Sequence, residues 1–204
     1  MIKEVREVKE NFMDNTRKQI LNEIKESIEV KKKAMDFCAP VAEAACIMAE
    51  AIRKGRCVYF CGNGGSAADA QHLAAELVGR YKKNRKPFKA AALTVDTSIL
   101  TAVANDMSYD EIFSRQLEGL AEEGDVLVAI STSGKSKNVL FALEVAKKKG
   151  MKSIGFVGGY KSAFEPYCDI LLSVPSTNTP RIQETHIMWG HIICGLVEEW
   201  LCDD

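Results

Sequence analysis

The sequence predicts an α/β chain: a three-layer α/β/α sandwich on a five-stranded parallel sheet, preceded by two helices. Three observations lead there. Five short apolar runs, Cys57–Cys61, Ala90–Val95, Asp125–Ser131, Lys152–Val157 and Asp169–Val174, are apolar on both faces, as strands covered on two sides are. Helical patterns lie between most of them, which supplies the crossovers that parallel strands need. Ahead of the first run, residues 1–54 carry helical periodicity throughout.

From about Val5 to Ala34 one long amphipathic helix is expected, with Ile20, Leu21, Ile24 and Ile28 at helical spacing among many Lys and Glu. A second helix follows from Pro40, well placed in a first turn, with Val41, Ala44, Ala45, Met48, Ala49 and Ile52 on one face before Lys54-Gly55 stops it. These stripes must be buried, and both a partner subunit and the chain's own sheet are open destinations. The strands and helices that follow have flavodoxin-like winding, whose ligands collect outside the carboxyl ends of the strands.

A chain of 204 residues suits one domain, with 1–54 as helices for assembly and 55–204 as the α/β core. Hydrophobic residues at 47% and charged residues at 27% exclude a disordered or fibrous protein. Lys plus Arg number 27 against 28 Asp plus Glu, a net charge of -1 that removes the basic field a nucleic-acid binder needs. The basic stretch Lys82–Lys89 is read as a solvated loop. No apolar run approaches the roughly 18 residues of a membrane span, and the charged start MIKEVREVKE lacks the apolar stretch of an export signal. The seven cysteines show no C-x-x-C pair and read as buried, reduced thiols of a cytoplasmic protein.

Two loops that follow strands are built for an anion. The first, Gly62-Asn63-Gly64-Gly65-Ser66, runs into a helix from Ala67, so backbone N–H groups converge at a helix N-terminus. It matches neither the dinucleotide nor the P-loop pattern, which argues against a nucleotide cofactor; a plain tight turn is the competing reading. The second, Ser131-Thr132-Ser133-Gly134-Lys135-Ser136, precedes a helix from about Lys137. Capping explains one hydroxyl and not four, so a phosphate-ester site is favoured.

The helix after the first loop puts His72 and Glu76 four apart on one face. The last helix carries Arg181-Ile182-Gln183-Glu184-Thr185-His186 and then His191, with Gln183 and His191 about 12 Å apart along the axis. Imidazole and carboxylate suit zinc, whereas an amide oxygen is an unusual ligand. Spacing alone leaves an ordinary surface pair at His72 and Glu76, with His191 a satisfied core histidine, as open as a shared ligand or catalytic site.

Together the segments CGNGGSAADAQHLAAELVGRY, STSGKSKNV and RIQETHIMWGH resemble the sugar isomerase (SIS) domain family, in its phosphoheptose isomerase branch. The resemblance extends from the N-terminal helices nearly to the C-terminus. It implies conversion of sedoheptulose 7-phosphate into D-glycero-D-manno-heptose 7-phosphate for bacterial surface polysaccharide. It also implies a cytoplasmic homotetramer with active sites between subunits. Carried onto this chain, substrate contacts fall on Asn63, Gly64, Gly65 and Ser66, on Arg80, on Asn105 and Asp106, on Ser131, Thr132, Ser133 and Ser136, and on Gln183. The zinc positions, one ion per subunit, fall on His72, Glu76, Gln183 and His191. Glu76 and His191 also fall on the acid and base positions.

One departure is Pro180, where some members have an acidic residue. DnaA-initiator-associating proteins share the scaffold but, as the resemblance has it, lack the glutamate and the second histidine. The alternative function is thus a phosphosugar-binding regulator without turnover, and the presence of Glu76 and His191 separates the enzyme from it. The expected chemistry has Glu76 remove the carbon-bound proton, His191 serve the oxygens, and the Ser131–Ser136 loop hold the phosphate.

Overall fold

The computed structural model describes residues 2–202, with side chains from residue 12 onward, so the side chains of the charged start lie outside the described residues. Helix α1 spans Ile2–Ala34, and α2 spans Cys38–Arg53 with Pro40 in its first turn. The alternating unit then begins: β1 Val58–Gly62, α3 Gly65–Val78, β2 Ala90–Ala92, α4 Thr97–Asp106, α5 Ser114–Leu120 and β3 Val126–Ile130. It continues through α6 Lys137–Lys148, β4 Lys152–Val157, β5 Ile170–Ser173 and α7 Thr179–Leu201.

All neighbouring strands pair in parallel, in the order β2-β1-β3-β4-β5, which is flavodoxin-like as expected. Strand order reverses between β1 and β3, whose last residues Gly62 and Ile130 are partners in register. Both anion loops therefore emerge side by side at the topological switch point. The three central strands are buried on both faces, with β4 exposed only at Lys152. The edge strands are not: β2 is three half-covered residues and stops short of Val95, and β5 alternates between buried and half-covered positions. An edge strand has one neighbour and thinner helical cover, so an apolar run there need not be fully enclosed.

One face of the sheet packs on α2, α3, α7 and the end of α1, the other on α5 and α6 with α4 at its margin. The two apolar stripes near the N-terminus find different destinations. On α2, Val41, Ala44, Ala45, Met48 and Ala49 are buried against the chain's own core, whereas on α1 the stripe of Ile20, Leu21, Ile24 and Ile28 is exposed. Among the described side chains of α1, only Val30 and Ala34, at its end, reach the core. Farther up α1, Arg181 of α7 donates to the Glu23 carbonyl and carboxylate, both at 2.8 Å, and to Glu184 at 2.6 Å. Ser27 completes the junction with a 2.7 Å bond to Glu184.

Two expectations are refined. The basic loop is solvated as expected at Lys82, Lys83, Asn84, Lys86 and Lys89, but Arg85 is drawn inward: Arg85 and Glu198 of α7 form a 2.9 Å ion pair with side chains 4% and 2% exposed. Composition could not reveal this, because the partner lies 113 residues away. The seven cysteines are all free, but Cys38 and Cys46 are exposed on the outer face of α2 while Cys61 and Cys194 are buried. Among the described residues no helix is long and apolar enough to cross a membrane.

His186 sits on the core face of α7, fully buried, with Nε2 at 3.1 Å from the Val157 carbonyl and its ring edge-on to Phe156. Burial lowers its pKa to about 4, against a smaller opposing effect of the Val157 bond. The folded state thus holds it neutral while the unfolded chain protonates near pH 6.5. Stability from this group is present above that pH and declines as pH falls toward 4, by on the order of 3 kcal/mol. Denaturant titrations at stepped pH should show that decline, and His186→Phe should flatten it; an unchanged slope in the variant would exonerate His186.

Candidate active site

The loop after β1 turns on Gly64, whose φ of +56° is a left-handed conformation that glycine adopts without strain. Helix α3 then starts at Gly65, two residues earlier than expected, with Ser66 buried inside its first turn. Gly65, Asp69, His72 and Glu76 follow at spacings of four, three and four, so they share one face. Helix α7 lies along that face and runs parallel to α3. A Cβ at Gly65 would collide with the Gln183 amide, and two turns farther on His191 meets His72.

His72 Nε2 lies 2.8 Å from His191 Nε2 and 3.2 Å from Glu76 Oε1, and His191 Nε2 is 4.0 Å from the same oxygen. Two imidazole nitrogens this close require one ring to donate to the other, or a cation shared between them. Donor atoms of His72, Glu76 and His191 all fall within 4.8 Å of one another, a set that could hold a metal ion. The donor types, two imidazoles and a carboxylate, are those zinc takes. Glu76 is the least exposed of the three at 20%, against 51% for His72 and 35% for His191. Gln183 stands against Gly65, two turns before His191 on α7.

The second loop gathers its hydroxyls. Ser136 occupies the N-cap of α6, yet its side chain caps nothing; its Oγ lies 2.9 Å from Ser131 Oγ, which is also 3.4 Å from Ser133 Oγ. The Lys135 N–H donates to Ser133 at 3.3 Å. Thr132, Ser133 and Lys135 line a cleft with Tyr160 and with Thr179, the first residue of α7. Pro180 sits in that first turn, where a missing N–H costs no helical bond.

Asn63 is joined to Asn138 of α6 by reciprocal amide bonds of 2.9 and 2.8 Å, and Tyr109 donates to Asn63 Oδ1 at 3.0 Å. Asn105 and Asp106, at the end of α4, are exposed and bond to each other at 2.7 Å. Arg80, just beyond α3, is exposed. The fold thus assembles His72, Glu76 and His191, groups Ser131, Ser133 and Ser136, and leaves Asn105, Asp106 and Arg80 outside both clusters.

A model of the SIS domain family matches residues 15–158. The chain is 57% identical over 166 residues to a phosphoheptose isomerase of Rhodospirillum rubrum, covering 81% of this chain and 88% of that one. It is 50% identical over 188 residues to a phosphoheptose isomerase of Nitratiruptor sp., covering 92% and 99%. The chain belongs to the SIS domain family. Among solved structures, a phosphoheptose isomerase from Neisseria gonorrhoeae superposes with a TM-score of 0.85 at 40% identity, over 90% of this SIS chain and 98% of that one. One from Francisella tularensis gives 0.87 at 35% identity, over the same shares.

Three residues near the site were not singled out from sequence. Asp69 shares the face of His72; burial raises its pKa, His72 opposes that, and its Oδ2 is buried without a hydrogen bond. Its place four residues after Gly65 and three before His72 was a usable signal. Asn138 and Tyr109 carried none, since their partner Asn63 is remote in sequence.

Gly65→Ala should cost less than about 1 kcal/mol of stability, because its Cβ meets only the end of the Gln183 side chain, which can swing aside. Thermal melts of Gly65→Ala should therefore stay close to the parent. A loss of several kcal/mol would mean that the Gln183 amide cannot yield and that the two positions are rigidly packed.

Proposed function

We propose that this SIS domain is an aldose–ketose isomerase that converts sedoheptulose 7-phosphate into D-glycero-D-manno-heptose 7-phosphate, the precursor of heptose units in bacterial surface polysaccharide. The observation that carries the proposal is the trio of Glu76, His72 and His191 brought together by two helices, in a chain that also gathers hydroxyls in the loop after β3. Relatives at about half identity over most of the chain, themselves phosphoheptose isomerases, support the same chemistry.

Ketose and aldose interconvert when a proton leaves the carbon next to a carbonyl and returns to its neighbour, while another moves between the two oxygens. Glu76 is the carbon base. His191 serves the oxygens and ring opening. Ser131, Thr132, Ser133 and Ser136 bind the phosphate with neutral donors, helped by the N-terminal ends of α6 and α7 around the cleft. Asn63, Gly64, Gly65, Ser66 and Gln183 line the sugar chain, and anchoring the phosphate brings its far end to Glu76.

Zinc would fit this donor set, one ion per subunit, held by His72, Glu76 and His191 with Gln183 as the fourth position, and would supply a Lewis acid for a carbonyl oxygen. The lone pair that ligates an ion is not free to take a proton, so in this proposal ligation by Glu76 and His191 is loose and yields to their acid-base roles. No nucleotide cofactor is part of the proposal.

The assembly in this proposal is a homotetramer in which residues 1–54 make the contacts and 55–204 bind the sugar phosphate; the exposed stripe on α1 supports self-association through that segment. Active sites then lie between subunits, which gives Arg80, Asn105 and Asp106 a route to substrate although they stand outside both clusters of their own chain. The enzyme is cytoplasmic in this proposal, consistent with free thiols.

Glu76→Gln keeps size and hydrogen bonding but removes the base, so NMR-monitored conversion of sedoheptulose 7-phosphate should slow by about two to four orders of magnitude without loss of folding. Near-normal turnover would remove Glu76 from the mechanism. For His191→Ala, turnover should collapse; retained zinc in elemental analysis assigns His191 to proton transfer, and lost zinc assigns it to ligation.

A further inference from the structure

Tyr81 carries an inference that deepens the isomerase proposal and rests on it. Its ring lies against the imidazole of His191, centroids 5.9 Å apart and planes 25° from parallel, an offset stack of the kind aromatic pairs favour. His72 meets the same imidazole edge-on, at 5.0 Å and 80°. The His191 ring is therefore held between two neighbours, although its side chain is 35% exposed.

The seat for Tyr81 is written into α7 at helical spacing from the histidine. At Gly195, four residues on, a Cβ would come within 3.1 Å of Tyr81 Cε1, so the bare backbone lets the ring lie against this face. At Glu198, seven residues on, the buried carboxylate accepts the Tyr81 N–H at 2.9 Å and those of Lys82 and Lys83 at 2.7 Å. Burial alone would raise the Glu198 pKa, but the three N–H groups and Arg85 hold it below the usual carboxylate range.

Arg85 extends the restraint to the opposite helix. Besides its 2.9 Å bond to Glu198, it donates to the Glu76 carbonyl at 2.8 Å and to the Leu77 carbonyl at 2.9 Å. One clamp thus grips the backbone of the carboxylate residue and, through Tyr81, the ring of the histidine. An imidazole with 4.0 Å between its Nε2 and the Glu76 carboxylate loses that relation if it swings toward solvent. We infer that Tyr81 is a positioning residue for the isomerisation, its ring fixing the rotamer of His191 relative to Glu76. The ring does this and the hydroxyl does not.

The test compares Tyr81→Ala with Tyr81→Phe in the full-length chain. The Ala variant should lower kcat for sedoheptulose 7-phosphate by about one to two orders of magnitude, the scale of an ångström misplacement, with KM within about threefold; the Phe variant should stay near the parent. The chain has only three histidines, so histidine-labelled protein allows a direct NMR reading. The His191 ring protons should be shifted upfield by the Tyr81 ring current in the parent and Phe variant, and lose that shift in the Ala variant. Unchanged kcat in Tyr81→Ala, unmoved His191 resonances, or equal loss in Tyr81→Phe would each overturn the assignment. Should Tyr81→Ala misfold by circular dichroism, Gly195→Ala, whose Cβ pushes the Tyr81 ring back by a few tenths of an ångström, should give a smaller kcat loss and a smaller change of the same His191 resonances; no change in either would overturn the assignment. Absence of turnover by the parent chain would sink the isomerase proposal instead, and the resonances would still decide whether Tyr81 holds His191.

Discussion

The chemistry of this chain depends on how closely α3 and α7 can lie side by side. At Gly190 of α7 a Cβ would come within 2.6 Å of the buried Leu73 side chain, so the seam closes only because that position has no side chain. With the helices parallel, residues at equal depth face each other: Gln183 over Gly65, His191 by His72, and Gly195 under Tyr81. Donor atoms from two segments of sequence over one hundred residues apart then fall within a few ångströms. Groups held on packed helices keep such geometry better than groups on loops.

The ends of the seam are held by charge. Arg85 and Glu198 lock the C-terminal end of α3 to α7, while Arg181, Glu184 and Glu23 tie the N-terminal end of α7 to α1. Only Arg85–Glu198 is buried on both sides, since Glu23 and Glu184 are 57% and 37% exposed; such a buried pair contributes little net stability compared with apolar packing, but removing either partner leaves an uncompensated charge, so it selects one arrangement. The loop proposed to hold the phosphate is built differently. Hydroxyls, helix N-termini and Lys135 surround its cleft, which suits a ligand that brings its own negative charge.

Helix α1 marks a division between what the chain completes alone and what it leaves open. Its end is anchored by Val30, Ala34 and the Arg181 junction, while the stripe from Ile20 to Ile28 remains in solvent. The neighbouring helix α2, with a stripe of similar length, is fully absorbed into the core. The difference lies in neighbours: α2 packs on β1, β3 and β5 as well as on α7, whereas the main helix against α1 is α7.

The sequence by itself determined the order of strands and helices, because runs apolar on both faces and helical periodicity are local patterns. It also marked both glycine- and serine-rich loops and the pairing of His72 with Glu76, since turn chemistry and a spacing of four act within one segment. Edge effects were less visible: β2 came out shorter than its apolar run because only one side of it is paired. Which stripe would be buried, where Arg85 of the basic loop found its partner, and which histidine would meet His72 were decided only by tertiary structure. Those outcomes depend on contacts between residues far apart in sequence, and such contacts exist only once the sheet has set α3, α7 and α1 beside one another.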